Sequence, residues 1–160
     1  MSGGSALLEV DFTGAKAGLS AVMDAVVHDH EPCLVQRRGR ESMLLVRPDD
    51  LARWLDTFRL RISFVFDQGE VTAQVSDLGV LGFGESVDEA LEDLASELRA
   101  YAQRFFGELS EFYRHTDRAK HYPALLRFAL TPADGHVDLL RADIEAEAEE
   151  RRREALGSSV

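Results

Sequence analysis

The residues best suited to chemistry sit in one short run, Arg37-Arg38-Gly39-Arg40, with Lys16 upstream of it. Three guanidiniums in four residues make a compact site for phosphate oxygens or a guanine edge, because the planar fork donates paired hydrogen bonds. Lys16 falls at the start of a helical pattern, where free backbone N–H groups also hold phosphate. A solvated charged turn is the competing reading of the same residues. Asp67, Glu70 and Asp77 are the carboxylates that could converge on a sheet and hold metal ions for phosphodiester cleavage. Their plainer reading, taken here, is solvated strand ends, so no catalytic residue, cofactor or metal is assigned. His28, His30 and Cys33 match no closed zinc spacing, and His115 and His121 do no better. Gly79, Gly82 and Gly84 lie between strand and helix without the Gly-Lys-Ser/Thr of a phosphate loop. Ser20, Ser86 and Ser110 have no visible nucleophile context.

The elements that must carry these residues follow from periodicity. Leu7, Leu8, Val10 and Phe12 read as a short strand. Leu19, Val22, Met23, Val26 and Val27 recur at helical spacing, with Thr13 as N-cap and the helix opening at Gly14. Pro32 to Arg37 and Arg40 to Val46 read as a hairpin turning at Arg38-Gly39. Pro48 opens a second helix, with Asp49 and Asp50 in its first turn and Leu51, Trp54, Leu55 and Phe58 as its apolar face. Trp54 and Phe58 are expected in the core. A second block then alternates: Leu60, Ile62, Phe64 and Phe66, then Val71, Ala73 and Val75, then Leu78 to Phe83. Ser86-Val87-Asp88-Glu89 is a capping box, and Ala90, Leu91, Leu94, Leu98, Tyr101 and Phe105 line the helix that follows. Beyond residue 107, Phe112, Tyr113, Leu125, Leu126, Phe128 and Leu130 could pack on that block. From Val137 the apolar face thins to Val137, Leu140 and Ile144, so the final helix is expected to order against a partner. The fold class is α+β: βαββα over 1–58, βββα over 59–107 and a helical C-terminal extension over 108–160.

Composition sets the bounds. Apolar residues form 45% of the 160, enough for a packed core. No apolar run approaches the roughly 18–20 residues of a membrane span. The opening Met1-Ser2-Gly3-Gly4-Ser5 lacks the pattern of a secretory signal, and Cys33 is the lone cysteine, so a reducing, cytoplasmic setting is expected. Net charge is −11, with −2 in residues 1–60, −7 in 61–110 and −2 in 111–160. An acidic chain of pI near 4.8 is no general nucleic-acid binder. A local cationic turn still acts, because screening confines charge effects to about 8–10 Å.

Two resemblances join these features. Residues 9–58 resemble the prevent-host-death (Phd/YefM) family of antitoxins. The matching residues are Phe12-Thr13-Gly14-Ala15-Lys16-Ala17-Gly18-Leu19-Ser20, Val22-Met23, Pro32 through Val35, Arg37-Arg38-Gly39-Arg40, Leu44-Leu45-Val46 and Pro48-Asp49-Asp50-Leu51. The resemblance implies a homodimerising module that binds operator DNA through Thr13 and Lys16, supported by Arg37, Arg38 and Arg40. Arg47 stands where that family usually has a serine before the proline. Residues 60–105 resemble the HicB-like antitoxin domain, a degenerate ribonuclease-H-like fold. Its features here are Phe64 through Gly69, Val71-Thr72-Ala73-Gln74-Val75, Asp77-Leu78-Gly79, Gly82-Phe83-Gly84-Glu85-Ser86 and Glu89-Ala90-Leu91. That resemblance implies a non-catalytic domain that masks a small, basic ribonuclease toxin. The expectation is an antitoxin that neutralises a cognate toxin and represses its own operon. Asp67, Glu70 and Asp77, with Leu140 and Ile144 of the tail, are the expected partner-binding residues. The alternative is a stand-alone transcriptional regulator whose second domain senses a ligand in a pocket lined by Phe64, Phe66 and Phe83. A metal-dependent nuclease built on Asp67 is a third reading.

Overall fold

Apolar residues alternating on either side of tight turns build two three-stranded sheets in the computed structural model, which describes residues 6–109 and 119–157. Phe112, Tyr113 and His115 lie outside the described residues. The chain divides into two compact units, residues 1–54 and 55–160.

In the first unit, β1 (Leu8–Asp11) pairs in parallel with β2 (Cys33–Arg37), which pairs antiparallel with β3 (Glu41–Leu45). The parallel pair needs a crossover, made by α1 (Phe12–Ala17) and α2 (Leu19–Val27). The sequence points to one helix capped by Thr13, and the fold differs. Asp11 is the cap: its carboxylate accepts the Gly14 N–H at 2.6 Å, so the helix begins at Phe12. Gly18 then divides it, leaving helical geometry at φ −116° and ψ 32° while its N–H still reaches the Gly14 carbonyl at 2.8 Å. The core is small: Ala15, Val22, Val26, Cys33 and Val35, with Leu8, Val10 and Leu45 against them. Burial pushes the Cys33 thiol pKa up. Only part of the apolar stripe on α2 is used, since Leu19, Met23 and Val27 stay exposed. The third helix, α3 (Pro48–Trp54), buries no residue fully. Trp54 and Phe58, expected in the core, are 57% and 46% exposed, because α3 ends at Trp54 before a face of full length can form.

In the second unit, β4 (Ser63–Asp67), β5 (Glu70–Val75) and β6 (Val80–Gly84) form an antiparallel meander. One face is covered by α4 (Val87–Gly107). The capping box forms, with Ser86 Oγ accepting the Glu89 N–H at 3.2 Å while the Glu89 carboxylate reaches back to the Glu85 N–H at 2.8 Å. Gly82 lets this helix lie close: a Cβ there would sit 2.2 Å from the Leu94 nitrogen. Helices α5 (Tyr122–Leu130) and α6 (His136–Gly157) complete the unit, each led by a short 3₁₀ turn.

The expectation of a tail awaiting a partner does not hold for the start of α6. Leu140 is fully buried with Leu125, Phe128 and Phe105 in the core that α4 and the sheet share. The sequence pattern misses this because the helix is anchored by charge as well as by apolar burial. Asp143 is 1% exposed; its Oδ2 accepts the Leu60 N–H at 2.9 Å and an Arg127 N–H at 3.0 Å. Arg127 is itself buried and also donates to Asp56 at 3.2 Å. Asp143 Oδ1 lies 2.9 Å from the same guanidinium nitrogen but off the N–H direction, a contact of charge without a hydrogen bond. Burial pushes the Asp143 pKa up, while Leu60 N–H and Arg127 pull it back. The last turns, from Arg151 to Gly157, are exposed and carry i,i+4 pairs such as Glu147–Arg151 at 2.6 Å.

Candidate functional site

Because β1 and β2 run in parallel with Asp11 beside Gln36, both strands end at the same edge of the first sheet. Helix α1 and the β2–β3 turn therefore leave from neighbouring points. This topology brings Thr13 and Lys16, both exposed and one turn apart on α1, to the end of the sheet that carries Arg37, Arg38 and Arg40. Arg37 lies over the Phe12 ring at 5.4 Å from its centroid and pairs with Glu41 at 3.4 Å. Both partners of that ion pair are more than half exposed, so it holds Arg37 weakly. Lys16, Arg38 and Arg40 make no ion pair among the described residues. The turn is three residues long, Arg38 to Arg40, with φ +53° at Arg38 and +65° at Gly39. It projects the exposed Arg38 and Arg40 side chains beyond the strands.

A second cluster in this unit had no clear signal in the sequence. His30 (φ +56°) donates from Nδ1 to the Asp50 carboxylate at 3.1 Å, while Arg47 donates to His30 Nε2 and to Asp49. The set ties the loop before β2 to the start of α3. It gives Arg47 and His30 a structural role. Among the described residues no group of His, Cys, Asp and Glu is arranged to hold a metal.

In the second unit the three acids do not converge. Asp67 and Glu70 face each other across the β4–β5 turn. Asp77 lies in the β5–β6 turn at the other end of the sheet, about 20 Å away for a six-residue strand. Together they cannot form a two-metal site, which removes the geometry behind the nuclease reading. Asp77 instead lines a cavity of about 260 Å³ with Arg61, Ser63, Glu147 and Arg151. Leu140 belongs to the core, Ile144 is half-buried against it, and neither forms an exposed docking stripe.

The aromatic lining named in the alternative, ligand-sensing reading is divided by register between the two faces of the sheet. Phe64 pairs with Ala73 and Gly82 on the face toward α4, and Phe66 follows two residues on; Val65, Thr72 and Phe83 share the opposite face. A different cavity, of about 420 Å³, is lined by Arg99, Ala102, Phe106, Phe128, Thr131 and His136. There the His136 ring stacks on Phe128 at 3.9 Å, donates from Nε2 to the Phe128 carbonyl at 3.0 Å, and meets Arg99 at Nδ1. Burial pushes the His136 pKa down.

No helix among the described residues is long and apolar enough to cross a membrane. The chain is a mixed α+β protein with a cationic turn on its first unit and a strong excess of carboxylates on its second. A family model described as PHD-like, antitoxin of toxin–antitoxin, RelE/RelB, TA system, matches residues 6–140. The chain belongs to this antitoxin family. A search of curated proteins finds no match. The fold is similar to a crystal structure from Syntrophomonas wolfei subsp. wolfei, described as an antitoxin part of a proposed toxin/antitoxin system. The TM-score is 0.73 at 24% identity, covering 83% of this chain and 96% of that one.

Proposed function

We propose that this antitoxin divides its work between its two units. The first is a Phd/YefM-like module that pairs with a second copy and binds operator DNA. The second is a HicB-like domain that holds a cognate toxin, and the whole is a cytoplasmic regulator rather than an enzyme. The observation that carries this reading is the separation of charge. Arg37, Arg38, Arg40, Lys16 and Thr13 gather at one end of the first sheet, while residues 55–160 carry 12 Lys/Arg against 21 Asp/Glu, a net of −9. Guanidiniums on an exposed turn release counterions from a duplex when they meet phosphate. A strongly acidic unit repels the same duplex and attracts a basic ribonuclease. Two copies would present two cationic turns, matching a palindromic operator.

The test is binding of the full chain to the DNA upstream of its own gene, across a salt series. Arg38→Ala with Arg40→Ala weakens binding, and each phosphate left without its arginine lowers the salt slope by about 1. Unchanged affinity and slope would remove the turn from the interface. The cavity beside Arg99 and His136 favours a second reading, a ligand-sensing regulator, since its volume of about 420 Å³ lies in the range of small-molecule sites. That reading requires operator binding to respond to a small molecule in the absence of any toxin.

A further inference from the structure

We propose that the open edge of β4 docks a β-strand of a cationic protein partner, extending the second sheet by one strand. This rests on the antitoxin reading above and names where its partner engages.

The β4–β5 turn has Gln68 at φ +46° and Gly69 at φ +89°, the geometry of a two-residue type I′ hairpin. In such a hairpin the flanking pair, Asp67 and Glu70, exchanges both backbone hydrogen bonds. Alternation makes Val65–Thr72 and Ser63–Gln74 the next bonded pairs. The N–H and C=O groups of Phe64 and Phe66 therefore point away from β5, and among the described residues nothing pairs with them.

The other edge of the same sheet is treated differently. By the same alternation Phe83 points its N–H outward from β6, and the Asp93 carboxylate accepts it at 2.9 Å. The following outward group, the Glu85 N–H, is taken by Glu89 at 2.8 Å. Side chains of α4 thus take the outward N–H groups of Phe83 and Glu85, leaving Leu81 as the one outward residue of β6 without such a cap among the described residues, whereas no side chain caps Phe64 or Phe66 on β4. Exposed edges are usually blunted by lysine, proline or a bulge, because they template pairing with another chain. The β4 sequence Ser-Phe-Val-Phe-Asp has none of these devices. Its outer residues are instead exposed and apolar, Phe66 at 67% and Val65 at 50%. Free backbone groups and uncovered aromatic surface on one strand are what strand addition uses.

Charge selects the occupant. Asp67 and Glu70 close the turn end of this edge, within a unit of net −9. A second copy would bring the same acids and the same −9, whereas a cationic strand gains attraction at the turn.

The experiment follows backbone amide exchange in the full chain, alone and with the basic polypeptide encoded beside its gene. Partner binding slows exchange at Phe64 and Phe66 while Phe83, already bonded, changes little. Phe66→Pro removes an outward N–H without touching the β4–β5 ladder, and Phe66→Lys sets a cation against the partner. Each weakens partner binding at least about tenfold, with α4 amides still protected as the sign that the fold survives. If the wild type binds but both variants bind equally well and the two amides do not slow, the edge is not the site and the antitoxin reading stands. If the wild-type chain binds no such polypeptide, the proposed role of the second unit in holding a toxin fails and this inference with it. Concentration-dependent protection of the two amides in the chain alone would give the edge to a second copy and overturn the proposal.

Discussion

A buried ion pair tests its own worth most clearly when one partner is removed. Asp143→Ala leaves the buried Arg127 guanidinium facing a cavity and the Leu60 N–H without its acceptor. The expected loss is about 3–5 kcal/mol in urea unfolding. Replacing both, as Arg127→Met with Asp143→Leu, removes the stranded charge and costs less than either single change. A double variant as unstable as the worse single one would show that specific geometry, rather than charge desolvation, dominates. His136 supplies a pH dependence of defined sign. Its folded pKa is lowered, first by burial and also by the Arg99 charge, against pulls upward from the Phe128 and Thr131 carbonyls and from Asp134. The unfolded chain therefore binds more protons in the window below the ordinary value of 6.5. Its stabilisation is complete above that value and declines as pH falls toward the folded pKa. Acidification from about pH 7.5 to about pH 5.5 lowers the thermal midpoint, and His136→Phe, which keeps the stacking on Phe128, shrinks that drop. Asp143 titrates with the opposite sign but is common to both proteins, so it cancels in the comparison.

Among the elements, the β6–α4 contact depends on a missing side chain and the cationic turn on a backbone angle. Gly82→Ala places a methyl 2.2 Å from the Leu94 nitrogen and 2.5 Å from the Ala90 carbonyl, both backbone atoms that cannot step aside. Helix α4 must shift, at about 1–3 kcal/mol. Gly39→Ala meets no neighbour within 4 Å; its cost comes only from φ +65° and is about 1–2 kcal/mol. The two variants separate in hydrogen exchange. Gly82→Ala loosens the amides of α4 and β6, while Gly39→Ala acts only on the first unit, around the β2–β3 turn. Equal protection of α4 in both would mean the helix does not rest on the glycine. Elements also explain the misplaced aromatics. Trp54 and Phe58 match a helical face in spacing, yet α3 stops at Trp54 and leaves both exposed.

For the molecule as a whole, the uneven charge makes salt a diagnostic. In the proposed function, DNA affinity resides in the cationic turn and falls with the logarithm of salt concentration. Partner association to the acidic unit loses its electrostatic steering over the same range, so its on-rate falls while its off-rate changes little. Stopped-flow association at low and high salt separates the two rates. An off-rate that carries the whole salt effect would place charge inside the interface instead of around it.

Much of this protein is written locally. Strand alternation, the capping box at Ser86 and the arginine-rich turn each depend on residues a few positions apart, so periodicity and capping rules reach them. The wholly buried partners depend on residues far apart in the chain. Nothing near Asp143 in sequence reveals that Arg127 and the Leu60 N–H await it, or that Leu140 lies in the core. Likewise the alternation of Phe64, Phe66 and Phe83 identifies strands, but which face each phenylalanine takes is set by pairing register. The sequence by itself determined where the charges and the short elements lie. Only the tertiary structure decided which carboxylate is buried and which outward strand groups a helix side chain caps, because each of those outcomes needs a partner brought in by folding.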